Sequence, residues 1–203
     1  MTWDELMARA EHLATQPDRA VLGVVGPPGA GKSRLADAMV AALGERAVLL
    51  PMDGFHLANE ELDRLGRLDR KGAPDTFDAA GYAALLRRVR AREEEVVYAP
   101  VFRRDRELAE AGVLPIPSEV PLVITEGNYL LADGPFRPVR QLLSECWYLE
   151  VDAPLRRERL VVRHMRHGRT AEQAQKWVAT TDEPNARLVE TTRVRADLVV
   201  RLP

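Results

Sequence analysis

Gly26, Gly31, Lys32 and Ser33, within the stretch GPPGAGKS, stand at the spacing G-x-x-x-x-G-K-[ST]. That spacing suits the holding of a chain of phosphates. Gly26, Pro27, Pro28, Gly29, Ala30 and Gly31 form the loop, and Gly29 and Gly31 let backbone N–H groups turn inward around an anion. A helix opening at residue 31 adds its positive dipole end. Lys32 then reaches the β- and γ-phosphates, and the Ser33 hydroxyl joins the shell of a Mg²⁺ ion. Arg34 follows on the same turn and is counted with the nucleotide-binding residues. A plain strand–turn–helix corner would not require Lys-Ser, so ATP and Mg²⁺ are the implied cofactors.

Two acids end apolar runs. Asp53 closes "LLPMDGFH" and Glu126 follows "LVIT". Burying a lone carboxylate costs several kcal/mol or more, so each acid needs a partner. In an open parallel sheet ligands bind at the carboxyl ends of the strands. Asp53 at such an end can accept the proton of a substrate hydroxyl. Glu126 can orient a Mg²⁺-bound water, with Gly127 leaving room for phosphates. The structural alternatives are an N-cap at Asp53 for a helix beginning near residue 56 and a structural ion pair at Glu126.

These residues need a scaffold, and the pattern supplies one. Strands are expected at 20–26, 46–52, 94–102, 120–128, 146–151 and 196–202. Helices are expected over the N-terminal "MTWDELMARAEHL" and at 31–43, 56–65, 79–92, 155–167, 170–180 and 184–192. Residues 66–78 read as a loop. The alternation implies a three-layer α/β fold, a mostly parallel sheet with helices on both faces, in a single domain spanning 1–203. The chain has 203 residues, 46% hydrophobic and 30% charged, with a net charge of −2. That balance excludes a strongly basic nucleic-acid binder, and no apolar run reaches the ~20 residues of a membrane span. Cys146 is the one cysteine, so no internal disulfide forms and a cytoplasmic setting is expected. Only three of the 29 basic residues are lysines, and two of them, Lys32 and Lys71, lie in motifs.

No lysine follows an asparagine, which argues against a guanine-reading Asn-Lys-x-Asp motif. The order and spacing of "MDGFH", "RKGAPDTFD", "VYAPVF" and "ITEGNYLL" resemble the uridine kinase, pantothenate kinase and phosphoribulokinase group of P-loop kinases, closest to its bacterial nucleoside/nucleotide-kinase-like branch. The resemblance runs from about Val21 to Val200. It implies a P-loop NTPase fold with an arginine-rich lid at about 156–169, and ATP-dependent transfer to a small-molecule hydroxyl. It assigns the base to Asp53, phosphate binding to Lys32 and Ser33, and the metal-side acid to Glu126.

The acceptor site is expected to use Asp53, His56, Arg70, Lys71, Asp75, Arg104 and Tyr129. Asp75 suits sugar hydroxyls, and Arg70 or Lys71 an anionic group; Asp78 reads equally as a helix N-cap. His56 either lines the pocket or packs locally. Arg103 stands where the branch carries an acid, which leaves the acceptor's identity open. The stretch also lacks the His and Arg that uridine kinases place after their Tyr-Asp, so uridine itself is disfavoured. Arg156, Arg159, Arg163 and Arg166 share a helical spacing. They form either a solvated face or a lid, in which Arg159 and Arg163 meet phosphate and Arg163 assists catalysis. "TDEPNARL" recurs in similar proteins, with no role read for Asn185. The expected function is a kinase for a sugar or nucleoside-like metabolite, pantothenate ranking lower. The alternative is a nucleotide-binding regulatory ATPase coupled to a transporter. No nucleic acid or membrane partner is expected, and a homodimer is allowed for.

Overall fold

The computed structural model describes residues 1–201. Five strands form one parallel sheet: β1 (Ala20–Val25), β2 (Ala47–Pro51), β5 (Leu122–Gly127), β6 (Glu145–Glu150) and β7 (Leu198–Arg201). They lie side by side in the order β2-β5-β1-β6-β7. β1 and β5 are buried along their whole length, as continuous apolar runs in a doubly covered sheet should be. Alternate residues of β1 feed opposite cores. Leu22 and Val24 meet α1 (Trp3–Ala14) and α2 (Lys32–Leu43) through Leu6, Ala10, Leu35 and Met39. Val21 and Val25 meet α4 (Ala79–Ala91) and α5 (Arg137–Leu142) through Tyr82, Leu86 and Val139. Each such fully buried aliphatic side chain contributes about 1.5–3 kcal/mol. The expected layers are therefore present. No helix of the described residues is long and apolar enough to cross a membrane.

Besides the short helix α5, which is not among the expected helices, further local features differ from the sequence reading. A two-stranded antiparallel ribbon of β3 (Val96–Arg103) and β4 (Leu108–Pro117) stands apart from the main sheet, and β4 is not among the expected strands. The strand expected to reach residue 52 ends at Pro51, and Met52–Phe55 forms a 3₁₀ turn. The helix expected from residue 56 begins at Asn59, as α3 (Asn59–Arg64), with Ala58 at its N-cap. Asp53 thus lies on the turn and caps no helix.

The C-terminal helices form a second layer over the phosphate loop. α6 (Ala153–Arg166) leads to α7 (Ala171–Trp177), whose N-cap Thr170 forms a capping box with Gln173. The expected 170–180 helix changes pitch at Val178. A π turn, Val178–Asp182, joins α7 to α8 (Glu183–Thr191) without a break. Arg156 on α6 is 2% exposed and pairs with Glu183 on α8. It therefore sits inside the fold, whereas Arg166 is exposed. Glu183→Ala would strand the buried guanidinium, and a loss of about 3–5 kcal/mol is expected in urea unfolding. A loss below about 1 kcal/mol would mean that water reaches Arg156.

Candidate active site

β1, β2 and β5 end in register, with Val25 beside Gly127 and Pro51 beside Glu126. The phosphate loop, the Met52–Phe55 turn and Glu126 therefore meet at one edge. A buried relay supports the join. Tyr82 OH donates to Thr125 Oγ1 at 2.6 Å, and Thr125 Oγ1 donates to the Leu50 carbonyl at 2.6 Å. Two glycines are required by geometry. Gly31 takes φ 98° at the start of α2, a left-handed conformation that leaves the first helical amides without a side-chain cap. A Cβ on Gly54 would overlap the Pro100 carbonyl, so only glycine lets the Asp53 turn pack against β3.

Lys32 is buried. Its Nζ donates to Asn128 Oδ1 at 2.7 Å and to the Pro27 carbonyl at 3.2 Å. Ser33 Oγ donates to Glu126 Oε1 at 3.1 Å. Burial pushes the Lys32 ammonium down to about 8, against the pull of Glu126 and Asp53. Burial, followed by the charge of Asp53, pushes the Glu126 carboxyl well above the usual carboxylate range. Among the described residues no cluster of three or more His, Cys, Asp or Glu could enclose a metal. One carboxylate and one hydroxyl fit Mg²⁺, which keeps several waters and takes phosphate oxygens for the rest. A cation there also offsets the mutual repulsion of Asp53 and Glu126.

Two cavities open on this edge. The smaller, about 210 Å³, is lined by Gly29, Gly31, Lys32, Ser33, Arg34, Arg159, Leu160 and Arg163. The larger, about 480 Å³, contains Pro28, Lys32, Ser33, Asp53, His56, Lys71, Arg104, Glu126 and Arg163 in its walls. Lys32, Ser33 and Arg163 belong to both, so α6 carries Arg163 across the junction. The small cavity suits a nucleotide's phosphates and the large one an acceptor. His56 both packs and lines. Its ring lies 4.0 Å from Phe77 and 4.7 Å from Phe102, and its Nδ1 meets the Asp53 carbonyl at 2.8 Å. A carbonyl only accepts, so Nδ1 carries the proton. Burial lowers the ring's pKa, which leaves Nε2 as a neutral acceptor.

Three expected acceptor residues do not open onto the cleft. Arg70 and Asp75 are spent on each other at 2.8 Å on the outer side of their loop. Tyr129 is fully buried, and its hydroxyl donates to the Gly72 carbonyl at 2.6 Å. Asn185 Nδ2 donates to that same carbonyl at 3.3 Å, so the "TDEPNARL" segment ties α8 to the Lys71–Gly72 turn. Asp78 is the N-cap of α4, its Oδ1 accepting from the Gly81 amide. Arg103 pairs with Glu110 across the ribbon and lines neither cavity.

Several site residues escape the sequence reading. Asn128, two positions after Glu126, holds Lys32. On the opposite wall His164 Nε2 meets Asp182 Oδ2 at 2.7 Å, and Arg169 donates to His164 Nδ1 at 3.0 Å. The Arg169 guanidinium also lies 3.9 Å over the Trp177 ring. Only the closeness of Asn128 to the Glu126 motif could have flagged it. The others come together through folding alone.

No family model matches the chain. A Schizosaccharomyces pombe protein described as "Putative uridine kinase C227.14" is 34% identical over 98% of this chain and 90% of its own length. The pantothenate kinase of Mycolicibacterium gilvum is 30% identical over 91% of this chain and 68% of its own length. A crystal structure described as a "putative fructose transport system kinase", from Silicibacter sp. TM1040, is 37% identical, with a TM-score of 0.89 over 98% of this chain and 99% of that one.

Proposed function

The chain belongs to the P-loop kinases of the uridine kinase, pantothenate kinase and phosphoribulokinase group, and from that premise we propose that it transfers the γ-phosphoryl group of ATP to a hydroxyl of a small metabolite, a sugar or nucleoside-like molecule. The supporting observation is the shared wall of the two cavities. Lys32, Ser33 and Arg163 line both, with Asp53 and Glu126 facing the larger one.

Lys32 and the amides that open α2 hold the β- and γ-phosphates, and Arg34 and Arg159 flank them. Ser33 and Glu126 hold Mg²⁺, which neutralises phosphate charge when bound. Asp53 orients the acceptor hydroxyl and takes its proton while the hydroxyl oxygen bonds to the γ-phosphorus. The bond from that phosphorus to the β–γ bridging oxygen breaks, and ADP leaves with the electron pair. Arg163, positioned between nucleotide and acceptor, balances the charge on the phosphoryl group in transit. With a lone buried cysteine, the chain suits a cytoplasmic enzyme.

A panel of sugars, nucleosides and vitamins, incubated with ATP and Mg²⁺ and followed by ADP release, tests the reading. At least one compound should raise ADP release well above the water background. If none does, a nucleotide-binding regulator becomes the better description.

A further inference from the structure

Asp53 is engaged by a neighbour. Its Oδ2 accepts a hydrogen bond at 3.1 Å from Arg104, which stands on the turn joining β3 to β4. Arg104 has no other partner among the described residues. The oxygen that receives Arg104 is closed to a substrate hydroxyl as long as the pair lasts. For both oxygens of Asp53 to face a hydroxyl, something must draw Arg104 away.

Arg104 and Lys71 are cations that line the large cavity and not the small one. Arg34, Arg159 and Arg163 surround the small cavity, and Arg104 does not line it. Arg104 lines only the large cavity, together with Asp53 and His56. Lys71 lines the same cavity and is nearly buried. Its Nζ meets Asn59 Oδ1 at 2.6 Å and the Glu107 carbonyl at 2.5 Å, and lies 5.1 Å from the centre of the Phe102 ring. Those oxygens are neutral. The Glu107 carboxylate, at 3.5 Å, is too far for a good hydrogen bond and is largely exposed. Phe102 packs on His56, and His56 bonds the Asp53 carbonyl. On the wall of the large cavity Lys71 is thus held by neutral oxygens, and Arg104 by nothing but Asp53 itself.

We infer that the acceptor carries an anionic group, a carboxylate or a phosphate ester, near the hydroxyl that is phosphorylated, and that this group takes Arg104 from Asp53 and is held by Arg104 and Lys71. The inference rests on the kinase reading above and narrows it to a sugar acid or sugar phosphate in place of a neutral polyol. A neutral acceptor offers Arg104 no charge to compete with that of Asp53, so it meets a base still paired. An anionic one frees the base by the act of binding, and selectivity and activation come from the same contact.

Three matched pairs test this with wild type, Arg104→Gln and Arg104→Lys: glycerate against glycerol, ribose 5-phosphate against ribose, and pantothenate against pantothenol. In wild type the anionic member of at least one pair should exceed its neutral partner by about 10²-fold or more in kcat/KM. The pair that responds separates carboxylate from phosphate. Arg104→Gln should collapse that ratio below about tenfold, partly by a gain on the neutral partner, whose base is no longer paired. Arg104→Lys, which keeps the charge, should recover part of the ratio. Arg104 is half exposed on a turn, so these variants should fold. Equal turnover of a neutral partner in wild type overturns the inference and leaves the kinase reading standing. An intact ratio in Arg104→Gln, or a rise in KM for ATP as large as that for the acceptor, also overturns it. If none of the six compounds yields ADP while ATP still raises the melting temperature, phosphoryl transfer fails and the inference falls with it.

Discussion

Asp53→Asn leaves the protein folded and lowers kcat by about 10²–10⁴-fold, the span expected for loss of a general base. Asparagine has nearly the same shape, and its Oδ1 can still accept from Arg104. The Met52–Phe55 turn keeps its backbone, and the Asp53 carbonyl still receives His56 Nδ1. What disappears is the capacity to take a proton. Capping offers no rival explanation, because α3 starts after Ala58. Asp53→Ala should therefore lose rate to a similar degree, with a melting temperature within a few degrees of wild type. Single-turnover rates and thermal melts of both variants decide the matter. Retention of kcat within about threefold in Asp53→Asn would remove the residue from the chemistry.

Lys32→Met abolishes most of the stabilisation that ATP and Mg²⁺ confer. For the wild type, ATP at 100 times its Kd should add about 2.7 kcal/mol to the unfolding free energy, since only the native state binds it. Methionine keeps the buried stem but removes the charge that meets the β- and γ-phosphates. Deleting one partner of a buried, charge-assisted contact costs about 2–5 kcal/mol, or at least roughly 30-fold in affinity. Without nucleotide the two proteins should melt closely together. Removal of a desolvated ammonium favours the variant, and the lost donor to Asn128 and the Pro27 carbonyl disfavours it. An undiminished ATP-induced shift would place the phosphates elsewhere.

The sheet is legible because β1 is an unbroken apolar run and β5 opens on one, each short enough and rich enough in β-branched residues to read as a strand covered on both faces. The phosphate loop is legible because its residues are consecutive. What stays hidden is held by distance or by dilution. β4 carries a glycine and two prolines and is half exposed on both faces, so no clean alternation marks it. α5 has six residues, too few for a helical period to register. Arg70 and Asp75 look like substrate ligands because opposite charges in one loop could each face inward. They satisfy one another instead, which a sequence cannot distinguish. Tyr129 follows a functional acid closely, yet the β5 exit turns it into the core. His164 and Asp182 meet although they lie on different helical segments, and nothing local foretells a contact between them.

The π turn at Val178–Asp182 makes chain length adjustable by one residue in this part of the fold. In an ordinary α-helix Asp182 would be rotated about 140° around the axis from Trp177, five positions at about 100° each. The wider turn closes that interval and returns Asp182 to the side of Trp177. One helical face can then hold the Arg169 stack and the His164 bond together. Many substitutions within Val178–Thr181 would leave that phase untouched. Removal of a single residue would restore the common pitch and leave Asp182 four positions from Trp177, about 40° away, so the shared face would survive. The segment thus absorbs one extra residue within a single turn, and an aligned relative with one residue fewer here would still present Asp182 to His164.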